Sequence, residues 1–231
     1  MFKYKEAMLG GPIDTHDLED DVVMECRGVG ICYRRPWKFG KTHARHAREF
    51  WPFRDLDLKL RRGETLGIVG RNGAGKSTLL RLLAGITYPD EGQFLRRPGL
   101  DVQLLTVNLG FEPILTGREN ALMGGMLLGR THTYMESRIE SIKEFSGLGD
   151  FFDEPLYAYS SGMRARLGFS ISIEIEPDVL LLDEVLAVGD KEFKEKSRGR
   201  TIDLMNSGKS VILVSHSTRF MDELAERVIE L

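Results

Sequence analysis

Short apolar runs separated by longer amphipathic stretches continue through most of the chain. Val179–Leu182 and Val211–Val214 are uninterrupted apolar runs of strand length, as expected of parallel strands that are covered on both faces. Thr65–Val69 is a third such run, and Asp55–Leu60 alternates polar with apolar residues, which predicts a half-buried strand. Val22–Tyr33 has the pattern of a further strand region. Strands that alternate with helices predict an α/β fold with a parallel sheet.

The stretch from about residue 112 to 176 has helical spacing. Thr116 and Glu119 are placed as a capping box, in which each side chain accepts a hydrogen bond from the other residue's backbone amide. Gly124-Gly125 lowers the helix propensity behind this start. A second helix is predicted over Arg164–Ile173.

The order of these elements predicts one domain over residues 22–231 behind a loose polar arm over residues 1–21. The helical subdomain is placed at about 108–176. One segment, residues 34–54, stands out because basic and aromatic side chains are interleaved. They are Arg34, Arg35, Trp37, Lys38, Phe39, Lys41, Arg45, Arg48, Phe50, Trp51, Phe53 and Arg54.

Composition narrows the class of protein. The chain is 42% hydrophobic and 29% charged with a net charge of −3, which is ordinary for a globular protein and too near neutral to argue for a nucleic-acid partner. Cys26 and Cys32 are six positions apart in one strand region, too far for a disulfide, so we expect reduced cysteines. We expect no signal peptide and no membrane span, so that a separate subunit would cross any membrane this protein serves.

A glycine-rich sequence follows the Thr65–Val69 run. Gly70-Arg71-Asn72-Gly73-Ala74-Gly75-Lys76-Ser77 matches the pattern G-x-x-x-x-G-K-[ST]. Glycines let the backbone curl so that amides face phosphate oxygens, and the following helix directs its positive end there. The lysine reaches the β- and γ-phosphates, and the serine hydroxyl helps to hold Mg²⁺. The candidate nucleotide-binding residues are Gly70, Asn72, Gly73, Gly75, Lys76, Ser77 and Thr78.

Two carboxylates end the Val179–Leu182 run. Asp183 is placed where a nucleotide's Mg²⁺ needs a carboxylate partner. Glu184 follows directly and can polarise an attacking water as a general base. Many strands simply end in a polar loop, so two carboxylates after an apolar run are by themselves a weak indication of such a site. Together with the phosphate loop upstream they become a strong one.

A third motif distinguishes among nucleotide hydrolases. Tyr159-Ser160-Ser161-Gly162-Met163 precedes a predicted helix and resembles the L-S-G-G-Q signature of the ATP-binding-cassette family, with departures at Ser161 and Met163. Ala187-Val188-Gly189-Asp190 lies at the place of that family's D-loop, and His216 at the place of its switch histidine. Ser160 at a helix start also makes a second anion site. The resemblance extends over nearly the whole chain from residue 22.

The resemblance implies a P-loop NTPase (RecA-like) core with a parallel sheet, an antiparallel β subdomain and an inserted α-helical subdomain. It implies ATP and Mg²⁺ as cofactors, and a head-to-tail homodimer in which each ATP lies between one copy's phosphate loop and the other's Ser160, Ser161 and Gly162. Tyr33 is the candidate for stacking on adenine; a core tyrosine is the alternative.

The junction glutamine of the family has no clear equivalent. Its place falls near Val107, which cannot bind Mg²⁺ or water. Thr106 or Asn108 could substitute for it, whereas Gln103 comes too early in the sequence.

The spelling of these motifs resembles ATPase subunits of bacterial polysaccharide exporters, which move O-antigen, capsule or teichoic acid chains. This implies integral-membrane permease partners, a lipid-linked polysaccharide as cargo and a place at the cytoplasmic face of the inner membrane. Another ABC transporter's ATPase, or a soluble ABC-type ATPase, is the alternative. The segment 34–54 then either faces anionic lipid or glycan-lipid headgroups, or is a solvated loop whose aromatic rings pack onto the sheet. The sequence leaves open whether a carbohydrate-binding domain follows Leu231.

Overall fold

The structure is a computed structural model that describes residues 18–34, 49–105, 110–183, 189–215, 221 and 223–231. It divides into two compact units, one made of Met1–Leu100 with Val214–Leu231 and the other of Asp101–Leu213. The strands are β1 (Val22–Arg34), β2 (Glu49–Arg61), β3 (Thr65–Val69), β4 (Glu91–Arg96), β5 (Val102–Leu105), β6 (Val179–Asp183), β7 (Ser210–Ser215) and β8 (Arg227–Glu230). The helices are α1 (Lys76–Leu83), α2 (Gly117–Leu127), α3 (His132–Ser146), α4 (Ser161–Glu174) and α5 (Lys191–Met205).

The first unit contains a three-stranded antiparallel sheet in the order β2-β1-β4. Its inner face is apolar because Val22, Met24 and Leu60 are fully buried. In the same unit β3 pairs with β8 in parallel, from Leu66 opposite Arg227 to Val69 opposite Glu230. The first unit therefore contains both antiparallel and parallel strand pairs.

Strand β2 is longer than the sequence pattern predicted. We expected a strand over Asp55–Leu60, but β2 begins at Glu49 and takes in the end of the basic aromatic segment. Phe53 pairs with Ile31 and is only 8% exposed. A register shift hides the alternation of apolar and polar residues at the start of β2. Phe50 and Phe53 are three positions apart, but their partners Tyr33 and Ile31 on β1 are only two positions apart.

The last residues of the expected loose arm are held in place. Leu18 packs with Val22 and Leu95. Lys59 Nζ donates to Glu19 Oε1 at 2.7 Å, and Arg97 donates to the carbonyl of Asp20 at 2.7 Å. The prediction of a loose arm is therefore wrong for residues 18–21, which bury an apolar side chain and bind basic ones, and its remainder lies outside the described residues.

The second unit combines parallel strands with the helices. β5 pairs with β6 in parallel from Val102 opposite Val179 to Leu105 opposite Leu182. Helices α2, α3 and α4 surround an apolar core whose members include Met135, Phe152 and Leu167, all with no exposed surface. The predicted helical stretch is thus confirmed, whereas β5 and β4 were not foreseen because each is short and flanked by polar residues.

Helix α2 begins with the predicted capping box. Thr116 accepts from the amide of Glu119, whose carboxylate accepts from the amide of Thr116 at 2.8 Å. The carboxylate of Glu119 accepts from the amide and from the hydroxyl of Thr116, and these two bonds lower its pKa. Gly124 and Gly125 do not interrupt the helix, because both are buried where α2 packs in the unit's core.

Two helical glycines should respond to alanine in opposite directions. A Cβ on Gly117 would collide with the Tyr159 hydroxyl and lie 2.7 Å from the carbonyl oxygen of Phe152, whereas one on Gly199 meets nothing within 4 Å. We expect Gly117→Ala to lower the free energy of unfolding by about 1–3 kcal/mol through overpacking. We expect Gly199→Ala to raise it by about 0.5–1 kcal/mol through helix propensity. Urea unfolding followed by circular dichroism measures both, and equal signs would contradict the packing described.

Candidate functional site

The phosphate loop lies between β3 and α1 in the first unit. Gly73 and Gly75 have φ of +87° and +100°, conformations that favour glycine. A Cβ on Gly75 would stand 2.7 Å from Pro52 Cβ and 2.8 Å from Phe53 Cδ1. Gly75 is also the N-cap of α1, and no side chain caps that helix start. The start of α1 therefore has no side-chain cap, and the positive end of the helix dipole lies at the phosphate loop, as an anion site requires.

Lys76 is the first residue of α1, and its ammonium group folds over the loop. Nζ donates to the carbonyl oxygen of Gly70 at 2.7 Å and to that of Arg71 at 3.0 Å. The first turn of α1 contains no acidic residue. Asn72 and Ser77 are exposed beside it. The loop therefore brings together a cation, the positive end of α1 and polar side chains.

Tyr33 lies beside this loop at the end of β1. Its hydroxyl is 3.2 Å from Thr78 Oγ1 on the first turns of α1. The side chain is 40% exposed, so the alternative of a core tyrosine does not hold. The ring is therefore partly accessible beside the phosphate loop.

The second unit holds Asp183, the signature-like sequence and Asp190. Asp183 is the half-buried last residue of β6, behind four residues that are at most 1% exposed. Glu184, His216 and the junction positions Thr106, Val107 and Asn108 lie outside the described residues.

The signature-like sequence forms the start of α4. Ser160 is the N-cap, and its hydroxyl accepts from the amide of Met163 at 3.2 Å. Ser160 and Ser161 are exposed, and a Cβ on Gly162 would meet only Ser160 Oγ, at 3.8 Å. The helix start is thus an open surface that an anion could approach. Tyr159 before it is buried and donates to the carbonyl of Phe151 at 2.5 Å. Burial, with Asp153 and Glu154 nearby, raises its pKa to about 12.

Asp190 joins the start of α5 to α4. Its carboxylate accepts from the amide of Phe193 at 3.0 Å as the N-cap, and it forms an ion pair with Arg166 of α4. The Phe193 amide and the Arg166 guanidinium lower the pKa of Asp190. Arg166 also lies 5.3 Å from the centre of the Phe193 ring. The signature helix and the D-loop residue are therefore fixed to each other within the unit.

A scan against family models matches residues 53–187 to the family described as ABC transporter. This range contains the phosphate loop, the signature-like sequence and the acidic pair, and it exceeds half of the chain. The chain belongs to the ABC transporter family.

Similar proteins within the ABC transporter family include a transporter protein and two polysaccharide export proteins. The ABC transporter protein AbcA of Aeromonas salmonicida is 46% identical over 85% of this chain and 65% of its own length. The O-antigen export system ATP-binding protein RfbB of Myxococcus xanthus is 44% identical over 78% of this chain and 41% of its own length. The teichoic acids export ATP-binding protein TagH of Lactococcus lactis is 38% identical over 81% of this chain and 40% of its own length. The chain therefore spans about 40–65% of the length of these relatives.

Among solved structures, the dimeric post-hydrolysis state of the ATP-binding cassette MJ0796 bound to ADP and Pi superposes with a TM-score of 0.69 at 21% identity, over 90% of this chain and 94% of that one. The likeness shows the fold. The predicted P-loop NTPase core with parallel strands, an antiparallel sheet and a helical part is confirmed.

One departure from the ABC transporter pattern has a structural account. Met163, at the place of the signature glutamine, packs against the apolar core of the second unit. Gln103 donates its amide to Asp101 Oδ1 and to the carbonyl of Leu128, both at 3.0 Å, so its amide group is used within the unit.

Two contributors were not foreseen from the sequence. Arg166 was read only as part of a helix, because nothing local links it to Asp190. Pro52 was assigned to the basic aromatic segment 34–54. The overlooked signal is a one-residue break in the alternation of side chains along this segment, which is typical of a bulged strand. The contacts of Arg166 with Asp190 and of Pro52 with the phosphate loop can be recognised only when elements distant in sequence are paired.

No helix among the described residues is both long enough and apolar enough to cross a bilayer. Within the same residues, no group of three or more His, Cys, Asp or Glu side chains is arranged to hold a metal ion.

Proposed function

We propose that this chain is the ATP-binding and ATP-hydrolysing subunit of an ABC transporter that exports a bacterial surface polysaccharide across the cytoplasmic membrane. The observation that carries the ATP part is the phosphate loop, in which Lys76 and the uncapped start of α1 face one surface. The cargo is supported by the O-antigen and teichoic acid exporters among the relatives.

ATP would bind with its phosphates on the loop amides between Gly70 and Ser77. Lys76 Nζ would exchange its loop carbonyls for the β- and γ-phosphate oxygens, since a charged acceptor bonds more strongly than a neutral one. Ser77 and Asp183 offer the hard oxygen donors that Mg²⁺ prefers, and we propose them as its protein ligands. The bound ion would neutralise charge on the phosphates. Tyr33 would stack on adenine.

The exposed signature supports a dimer. Ser160, Ser161 and Gly162 present a helix start that their own unit leaves open, and we propose that it binds the γ-phosphate of ATP held by a second copy. Asp190 would contribute beside it, held by Arg166. Glu184 would act as the general base on the attacking water, and His216 would contact the γ-phosphate. Two identical sites would then form in a head-to-tail homodimer.

The proposed partners are integral-membrane permease subunits at the cytoplasmic face of the inner membrane, with a lipid-linked polysaccharide as cargo and no nucleic acid. The permease partners are inferred from the export systems to which the relatives belong. The competing function is the ATPase of another ABC transporter, or a soluble ABC-type ATPase.

The test is purification of the Glu184→Gln variant from membranes of the native host with ATP and mild detergent. We expect a multi-helix membrane protein at equal stoichiometry, together with lipid-linked glycan that accumulates inside the cells. Lys76→Ala is the control that should not form the ATP-bound dimer. An ATP-dependent homodimer without a membrane partner would favour the soluble ATPase instead. A membrane partner without glycan accumulation would leave an ABC transporter of different cargo.

A further inference from the structure

A second exposed aromatic ring lies beside Tyr33. Phe50, at the start of β2, is 52% exposed. It pairs directly with Tyr33 across the antiparallel ladder. Residues directly opposite each other point to the same face, with Cβ atoms about 4.5–5.5 Å apart. The two rings therefore share one face of the β1–β2 ribbon.

This end of the ribbon is fixed against the phosphate loop by both strands. On β1, the hydroxyl of Tyr33 is 3.2 Å from Thr78 Oγ1. On β2, Pro52 and Phe53 lie so close to Gly75 that a Cβ there would be 2.7 and 2.8 Å from them. Phe50 is two residues from Pro52, so its position is coupled to the loop that receives the phosphates.

Other rings of the segment have different partners. Trp51 points to the opposite face of β2, where its Cζ3 would be 3.0 Å from a Cβ on Gly30. Arg54 covers the Trp51 ring at 4.6 Å and binds both carboxylate oxygens of Glu91 at 2.6 Å. Phe53 is buried. Among the described rings of this segment, Phe50 is thus the one left exposed on the face of Tyr33.

We propose that Phe50 and Tyr33 together form the platform for the nucleotide base, and that Phe50 gives the site a preference for purines. A purine has two fused rings and can cover both side chains, whereas a pyrimidine covers about one. Phe50 has no hydrogen-bonding group, so the platform would distinguish one base from another by the area over which the base stacks on the two rings. This inference rests on the proposed ATP-binding function and adds the residue that selects the base.

The test measures dissociation constants of ATP, CTP and inorganic tripolyphosphate, each with Mg²⁺, for the full chain and for Phe50→Ala. Loss of one stacked ring is expected to weaken ATP binding by about 5- to 100-fold. CTP should weaken less and tripolyphosphate should not change. Phe50→Trp should restore ATP binding. Phe151→Ala is the matched control, since Phe151 is 51% exposed in the second unit and should leave all three constants unchanged.

Unchanged ATP affinity in Phe50→Ala, or an equal loss for ATP and tripolyphosphate, would overturn the role of Phe50 while leaving the ATPase function standing. A wild-type chain that binds tripolyphosphate as tightly as ATP would overturn the base platform as a whole. Failure of the wild-type chain to bind any of the three would overturn the proposed function itself.

Discussion

Replacement of Lys76 by alanine is expected to lower ATP hydrolysis by at least about 100-fold, the usual cost of removing one preorganised charge from a reacting phosphate. Lys76 Nζ is held over the loop by the carbonyls of Gly70 and Arg71, so the cation is in position before the nucleotide arrives. The measurement is phosphate release at saturating Mg·ATP, with the nucleotide dissociation constant determined separately.

Arg71→Ala is the matched control for Lys76. Its side chain is exposed in the same loop and is not part of the phosphate-binding pattern, so hydrolysis should change less than about twofold. Because α1 packs through Leu79, Leu80, Leu82 and Leu83, neither change should alter the unfolding curve appreciably. Hydrolysis by Lys76→Ala at the wild-type rate would show that the loop does not serve ATP.

Substitutions of the two adjacent carboxylates, Asp183 and Glu184, should separate ATP binding from ATP hydrolysis. Glu184→Gln removes the proposed general base and is expected to slow hydrolysis by about 10²- to 10⁴-fold while ATP still binds. ATP should then hold two copies together, which light scattering after gel filtration would detect. Asp183→Asn removes the proposed Mg²⁺ ligand at the end of β6 and should weaken Mg·ATP binding itself.

The contrast between the two variants decides the assignment. If Glu184→Gln hydrolyses ATP normally, another group acts on the water. If Asp183→Asn retains full Mg·ATP affinity but loses turnover, the roles of the two carboxylates are exchanged. A Glu184→Gln chain that stays monomeric with ATP would argue against the shared site built on Ser160.

Arg166 extends the site beyond the motifs. By pairing with Asp190 and covering Phe193 it connects the helix that begins at Ser160 with the helix that begins at Asp190. This arrangement gives a physical reason for an arginine at a position that no phosphate contact requires.

The sequence by itself determined the parts of the protein that depend on local chemistry. The phosphate loop needs its glycines and Lys76 at fixed spacing, and a short apolar run had to precede it as β3. The capping box at Thr116 and the N-cap at Ser160 satisfy amides only a few residues away. Such contacts follow from neighbours along the chain, so the pattern alone was sufficient to place them.

The tertiary structure decided what depends on pairing between distant residues. No local sequence pattern near Glu49 predicts that β2 begins there. The start of the strand depends on its register against β1, which is set by the pairing of Tyr33 with Phe50 and of Ile31 with Phe53. The same holds for Pro52 against Gly75 and for Arg166 with Asp190. These contacts join residues 17 to 24 positions apart in the sequence. Only packing and the register of the hydrogen-bonded backbone select them.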